Sequence, residues 1–120
     1  MLGFTLTRHA GISVLQLNGE AHGDESIEAL NQAFTLVQPD DQLVLELSEA
    51  LTLDATVAST VQEMLRMRHE GTQTVVVSPR RSISNQLTLH GVDHVSSIVR
   101  TMAEALDVLA ALRWARGQQC

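Results

Sequence analysis

Leu43-Val44-Leu45-Glu46-Leu47-Ser48 leads through residues 49–53 into Asp54-Ala55-Thr56-Val57-Ala58, and this segment sets the arrangement of the whole chain. The first part predicts a buried strand with its leucines on one face, and residues 49–53 are typical of a short loop. Asp54 is a favoured N-cap residue, so a helix is predicted to begin beside it. Free N–H groups at such a helix start favour an anion, and a first-turn Ser or Thr there suits a phosphate switch. This first turn offers Ala55 and Thr56.

The apolar pattern on either side of this segment predicts alternating strands and helices. Before it come strands at residues 4–7 and 12–17 joined by a tight turn at residues 9–11, a loop at 19–23, and a helix capped by Asp24 or Ser26 and ended by Pro39. After it come a helix at 55–70 closed by Gly71, a strand at 74–77, a short helix capped by Ser82 and closed by Gly91, a strand at 95–99, and a last helix. Thr101 and Glu104 form a capping box for that helix, whose buried stripe is predicted as Met102, Leu106, Leu109 and Leu112.

The predicted order is β-β-α-β-α-β-α-β-α, which indicates an α/β protein with helices packed on a mixed, mainly parallel sheet. The 120 residues, 44% of them apolar, suffice for one domain with a real core. The single cysteine, Cys120, excludes a disulfide framework within the chain, and no secretory signal or membrane span is visible. We therefore expect a cytoplasmic location and no membrane insertion.

Charge is unevenly distributed along the chain. The formal net charge is −6, every basic residue is an arginine, and up to Thr60 only Arg8 opposes the acidic residues. An acidic first half repels phosphates, so nucleic acid is not an expected partner. Most of these charges are interpreted as solvated helix faces, and attraction of a basic protein surface is the alternative.

The sequence gives no sign of catalysis. It contains neither a Gly-rich phosphate loop nor a G-x-S-x-G motif. His90 and His94 are one helical turn apart, but Gly91 is expected to end the helix between them, so they are interpreted as turn residues and not as metal ligands. We predict a protein that is not an enzyme and that needs no cofactor or metal.

In the order and spacing of four segments the chain resembles the STAS domain, the fold of bacterial anti-sigma factor antagonists and of the cytoplasmic tails of sulfate transporters. The segments are Gly11-Ile12-Ser13-Val14-Leu15-Gln16-Leu17-Asn18-Gly19-Glu20, Leu43-Val44-Leu45-Glu46-Leu47-Ser48, Asp54-Ala55-Thr56-Val57-Ala58 and Leu87-Thr88-Leu89-His90-Gly91-Val92-Asp93. The resemblance implies a single STAS-like domain over residues 1–120, with a core at about 4–112 and a helical C-terminal tail.

This resemblance implies a partner-switching protein that docks on a kinase-type anti-sigma factor, and in which phosphorylation of the hydroxyl after the Asp blocks docking. The implied partner-binding residues are His22, Asp54, Ala55, Thr56 and Ser59. Ala55 stands at the usual phosphoacceptor position and has no hydroxyl. Thr56, about 100° further round the helix, is the candidate for a displaced acceptor. His22 stands where the family often has Asp and is interpreted either as a pH-sensitive contact or as an exposed loop residue without a role.

Other interpretations remain open at this point. The chain is alternatively a STAS scaffold subunit of a stressosome-type or membrane transport complex, assembling with other STAS proteins. Trp114, at the end of the last helix, fits either a homodimer contact or packing on the domain's own sheet. Arg80-Arg81 suits an acidic partner, a phosphate or a solvated loop. A nucleotide or lipid near the loops after the strands is a further hypothesis, from fold class alone.

Overall fold

The computed structural model describes residues 2–68 and 73–117, and of residues 115–117 it describes the backbone alone. This part of the chain contains β1 (Leu2–His9), β2 (Ile12–Ala21), α1 (Gly23–Leu36), β3 (Gln42–Glu46), β4 (Ala50–Leu53), α2 (Ala55–Arg66), β5 (Thr74–Val77), α3 (Arg81–Leu89), a 3-10 turn (Val92–His94), β6 (Ser97–Val99) and α4 (Met102–Gly117). The predicted α/β class is confirmed. The predicted order holds with one added strand, β4, where a loop was expected.

The strands form one mixed sheet in the order β1-β2-β3-β5-β6, with β4 beside the far end of β2. Only the β1–β2 hairpin is antiparallel. Its turn holds Ala10 and Gly11 at φ 51° and 79°, the left-handed pair that suits a two-residue hairpin. β2 pairs first with β3 and then, from Gly19 to Ala21, with β4. The predicted loop at residues 19–23 is therefore wrong except at His22, because β2 continues to Ala21 beside β4 and α1 begins at Gly23.

Helices cover both faces of the sheet. The leucines of β3 at positions 43 and 45 face one way, as predicted, and join a core with Leu30 of α1, Val61 of α2 and Leu87 of α3. Val44 points the other way and packs with Ala105 and Leu109 of α4. β3 is thus buried on both sides, as expected for the centre of a parallel sheet, and its carboxyl end leads straight to β4 and α2.

Several predicted boundaries differ from the observed ones. α2 ends at Arg66 and not at Glu70; Glu70 and the predicted cap Gly71 lie outside the described residues. β6 begins at Ser97, because Val95 is held in the turn before it by a 3.1 Å hydrogen bond from its N–H to the carbonyl of Val92.

The predicted caps of α1 and α3 are also wrong. His22 and Arg80 occupy the N-cap positions, and neither provides a side-chain cap. The Oγ of Ser26 instead bonds the backbone of His22, accepting from its N–H and donating to its carbonyl, both at 2.9 Å.

In α4, Thr101 does cap the helix, its Oγ1 accepting from the N–H of Glu104 at 3.1 Å. Among the described side chains of α4, those of Ala105 and Leu109 are buried, whereas Leu106 and Leu112 are 44% and 38% exposed. Among the described residues, no helix is both long and apolar enough to cross a bilayer.

Asp41, just before β3, is a buried carboxylate at the edge of the sheet opposite the start of α2. Its Oδ2 accepts from the Nε of Arg8 at 2.6 Å and from the Oγ of Ser13 at 2.9 Å, and its Oδ1 accepts from Nη2 of Arg8 at 3.0 Å. The hydrogen bonds from Arg8 lower the pKa of Asp41 more than burial raises it. The ionised form of this side chain therefore stabilises the fold.

We expect Asp41→Asn to make the protein less stable at neutral pH and less sensitive to acid. A carboxyl whose pKa is lower in the folded state stabilises above its unfolded pKa of about 3.9, and this stability is lost as the pH falls through the folded-state pKa. Urea unfolding followed by circular dichroism between about pH 7 and pH 3 measures both effects. Asp40→Asn, at the exposed neighbour, is the control and should keep the native acid dependence. An unchanged acid dependence in Asp41→Asn would contradict the assignment.

Candidate functional site

The end of β2 and the start of α2 meet at the carboxyl edge of the sheet. β4 brings them together, since its Leu53 pairs with Ala21 at the end of β2. The next residue, Asp54, donates its backbone N–H to the carbonyl of Ala21 at 2.9 Å. The chain then enters α1 after β2 and α2 after β4, so two helices start side by side.

The carboxylate of Asp54 bonds both of these helix starts. Its Oδ1 accepts from the N–H of Val57 at 2.8 Å, which makes it the N-cap of α2 as predicted. Its Oδ2 accepts from the N–H of Gly23, the first residue of α1, at 3.0 Å. Gly23 has φ +77°, a conformation that an L side chain rarely adopts. One side chain thus ties α1 to α2 and uses both of its oxygens to do so.

The exposed side chains of α2 follow directly from its helical period. Val57 and Ala58 are fully buried, which leaves Ala55, Thr56 and Ser59 on the solvent side of the first turns. The hydroxyl of Thr56 has no hydrogen-bond partner among the described residues. The five residues predicted from the sequence, His22, Asp54, Ala55, Thr56 and Ser59, are called the switch surface below.

His22 immediately precedes Gly23 and is therefore next to the contact with Asp54. Its side chain is 57% exposed, and its Nε2 lies 3.5 Å from Oε2 of Glu20, which is equally open to solvent. Its ring makes no bond to Asp54. The structure thus brings His22 to the same corner as the start of α2 while leaving its ring free to meet another molecule.

Ser59 connects the switch surface to the end of α3. Its Oγ lies 3.0 Å from Nδ1 of His90. Gly91 follows at φ +80° and ends α3, as predicted, so His90 and His94 do not share a helix. Within the described residues no three His, Cys, Asp or Glu side chains are close enough to hold one metal ion.

The structure adds features that the sequence interpretation missed. Two large apolar side chains are exposed near this edge, Leu51 of β4 at 54% and Leu89 of α3 at 75%. The partnership of Ser59 with His90 has no signature in the sequence, since the two are far apart in the chain. The alternation in Ala50-Leu51-Thr52-Leu53 was the one available sign of β4, and it is too short to distinguish from a loop.

Acidic residues surround the start of α1. Asp24 and Glu25 lie in its first turn and are exposed, with Glu20 just before them. Carboxylates at this position stabilise the helix dipole. They also give the corner beside Asp54 a negative potential that suits a basic protein surface.

The sequence and the fold were compared with known proteins. A family model described as STAS domain matches residues 4–105. A search of curated proteins gives no match. Among solved structures, an anti-sigma factor antagonist from Mycobacterium paratuberculosis has a TM-score of 0.79 at 24% identity, covering 94% of this chain and 95% of that one.

Two further structures share the fold at lower identity. A putative anti-sigma factor antagonist from Thermotoga maritima has a TM-score of 0.71 at 19% identity, covering 87% of this chain and 92% of that one. The anti-sigma factor antagonist SpoIIAA in its unphosphorylated form has a TM-score of 0.67 at 16% identity, covering 91% and 97%. The family match over most of the chain and the six-stranded mixed sheet lead to one conclusion: the chain belongs to the STAS domain family.

Proposed function

We propose that this protein is a non-catalytic regulatory module, similar to an anti-sigma factor antagonist, that docks on a kinase-type anti-sigma factor through its switch surface. The observation that supports this most directly is the start of α2. Asp54 fixes the backbone there, and Ala55, Thr56 and Ser59 present small exposed side chains to solvent. A surface of small side chains on a rigid frame suits close contact with another protein.

The surroundings of the switch surface support a protein partner. Leu51 and Leu89 are exposed apolar side chains on the neighbouring elements β4 and α3. Apolar residues beside polar ones are typical of interface cores with polar rims. The acidic first turn of α1 favours a partner with a basic face, and it would speed encounter with such a partner.

Ala55 gives this proposal its particular form. Ala55 has no hydroxyl to receive a phosphate, so in the proposed role phosphorylation at position 55 could not block docking. Thr56 carries a free hydroxyl but projects from a different side of the helix. We propose that the chain is a permanently competent antagonist, regulated by its amount or by a third component.

We expect Thr56→Glu to weaken binding to a purified kinase-type anti-sigma factor from the same organism by at least about tenfold, measured by calorimetry. The charge would enter a desolvated contact without a partner. The control is Thr35→Glu on α1, which makes the same substitution at another exposed helical threonine outside the switch surface. Equal affinity for Thr56→Glu and the native chain would exclude this surface. No binding of the native chain at about 0.1 mM would exclude this partner.

A second candidate function, a self-assembling scaffold subunit, is favoured by one observation on α4. Leu106 and Trp114 are 44% and 69% exposed, and with the exposed Ala110 they follow a four-residue spacing along one outward face. The interpretation in which Trp114 packs on the domain's own sheet is therefore wrong. An uncovered apolar stripe of this kind suits contact with a second copy of the chain.

We expect self-association to shift the fluorescence of Trp114 to shorter wavelength as concentration rises. The chain contains one tryptophan and no tyrosine, so the signal reports this position alone. Light scattering on the same samples gives the mass, and Leu106→Ser, which leaves the tryptophan in place, should abolish both changes. A monomeric mass with a constant emission spectrum at every concentration would exclude the scaffold.

A further inference from the structure

A cleft of about 440 Å³ lies at the carboxyl ends of β5 and β6, against one side of α3. Ser78 follows β5 and forms its floor, Arg81, Ser84 and Asn85 line it from α3, and Arg100 lines it from the segment after β6. No residue of the switch surface contributes to it. The volume is in the range of clefts that hold small molecules, and the carboxyl edge of an open parallel sheet is where such clefts form.

The distribution of arginine partners distinguishes this cleft from the rest of the surface. Of the arginines whose side chains are described, Arg8 bonds Asp41, Arg66 bonds Glu63, Arg68 bonds the carbonyl of Asp41 and Arg113 bonds Gln42. The remaining three, Arg80, Arg81 and Arg100, make no ion pair or side-chain hydrogen bond with a described residue. Arg81 and Arg100 both line the cleft and Arg80 adjoins it. In a protein of net charge −6, the unpaired arginines among those with described side chains are thus concentrated at one cleft.

The polar groups in the cleft are partly fixed and partly open. Ser78 is 2% exposed. The Oγ of Ser84 lies 3.0 Å from the carbonyl oxygen of Ser78 and 2.9 Å from the Oγ of Ser78. This pairing holds the floor rigid. Asn85 and Thr88 also line the cleft, and their side chains make no hydrogen bond to a described residue. They are available to a ligand, as are the first-turn N–H groups of α3, which no side chain caps.

Among the described residues that line the cleft, Asp93 is the one carboxylate. Its Oδ1 is 4.0 Å from Nε2 of His94, too far for a hydrogen bond, so it retains its capacity to accept. A carboxylate in the same cleft as two guanidinium groups disfavours a uniformly anionic ligand. It favours a molecule with an anionic group at one end and hydroxyl groups at the other.

From these contacts we propose that the cleft binds a small sugar phosphate, with the phosphate held by Arg81 and Arg100 and a sugar hydroxyl donating to Asp93. Guanidinium groups match phosphate oxygens by paired, charge-assisted hydrogen bonds. Asn85 and Thr88 line the same cleft and are available to bond the ring or its hydroxyls. The site is independent of the proposed docking role, because it uses neither the start of α2 nor any residue there.

Titration of the labelled protein with ribose 5-phosphate, followed by amide chemical shifts, tests the site. We expect shifts centred on Ser84, Asn85 and Ile98, weaker binding of inorganic phosphate, and no response to ribose. Arg81→Gln and Arg100→Gln should each weaken binding by about fivefold or more. Arg66→Gln, which removes the same charge from the outer face of α2, should leave it unchanged.

Three results would overturn the proposal. The first is an absence of shifts with ribose 5-phosphate at about 10 mM. The second is an equal loss of affinity in Arg66→Gln and Arg81→Gln, which would mean diffuse attraction and no site. The third is equal binding of inorganic phosphate and ribose 5-phosphate, which would remove the sugar from the assignment. Asp93→Asn tests the sugar end of the ligand separately, since it should weaken the binding of ribose 5-phosphate and leave the binding of inorganic phosphate unchanged.

Discussion

Ala55→Ser should convert this chain from one that a kinase-type anti-sigma factor leaves unmodified at position 55 into one that it phosphorylates. The position is exposed and opens α2, directly after the N-cap Asp54. A phosphate there meets the N-terminus of the helix, where the backbone N–H groups and the helix dipole stabilise an anion. Intact-protein mass spectrometry after incubation with kinase and ATP should show one added phosphate on the variant and none on the native chain.

The same variant tests the consequence for docking. Unphosphorylated Ala55→Ser should bind as the native chain does, since one hydroxyl is a small change on an exposed surface. The phosphorylated form carries about −1.5 to −2 extra charges in the contact and should lose binding. Ala103→Ser, an exposed alanine in the first turn of α4, is the control and should remain unmodified. Phosphate on Thr56 of the native chain, or its absence from Ala55→Ser, would contradict this account of the first turn.

Asp54→Ala should lower the free energy of unfolding by about 2 kcal/mol and separate the starts of α1 and α2. The loss of an N-cap hydrogen bond costs about 1 kcal/mol, and the loss of the bond from Gly23 costs about as much again. Urea unfolding followed by circular dichroism measures the total. Amide exchange should become faster at Gly23 and Val57, whose N–H groups donate hydrogen bonds to Asp54. Docking should weaken as the starts of α1 and α2 move apart.

Asp54→Asn tests how much of the lost stability comes from one of the two hydrogen bonds that the carboxylate accepts. Its single carbonyl oxygen can replace one of the two carboxylate oxygens, while its amide group would face the other N–H. We therefore expect a loss of about 1 kcal/mol, midway between Asp54→Ala and the native chain. If Asp54→Ala unfolds at the native urea concentration, the carboxylate contributes nothing to stability and its two contacts are incidental.

Local sequence patterns predicted most of the fold. The Leu43, Leu45 and Leu47 alternation and the β-branched run at 74–77 gave the central strands their correct positions, because strands covered on both faces need continuous apolar residues. Asp54 gave the start of α2 for an equally local reason. These features depend on neighbours within a few residues, which a sequence displays directly.

What the sequence did not predict depends on distant pairing. β4 is a strand because the end of β2 lies beside it, and residues 50–53 have too few alternating positions to reveal this alone. In α4, Leu106 was expected to be buried but is exposed. The buried residue is Ala105, about 100° away on the helix, which packs against Val44 of the sheet. The contacts of Asp54 with Gly23 and of Ser59 with His90 join residues about 30 positions apart, which no local pattern encodes.

The double attachment of Asp54 has a consequence for the speed of recognition. Two helix starts that are already joined need not search for their relative position when another molecule arrives, so little conformational entropy is lost on contact. Association would then be limited by collision and orientation, and mutations in the contact would act chiefly on how long the complex lasts. Stopped-flow mixing would reveal this as a single phase whose rate rises in proportion to concentration, without the plateau of a slow rearrangement.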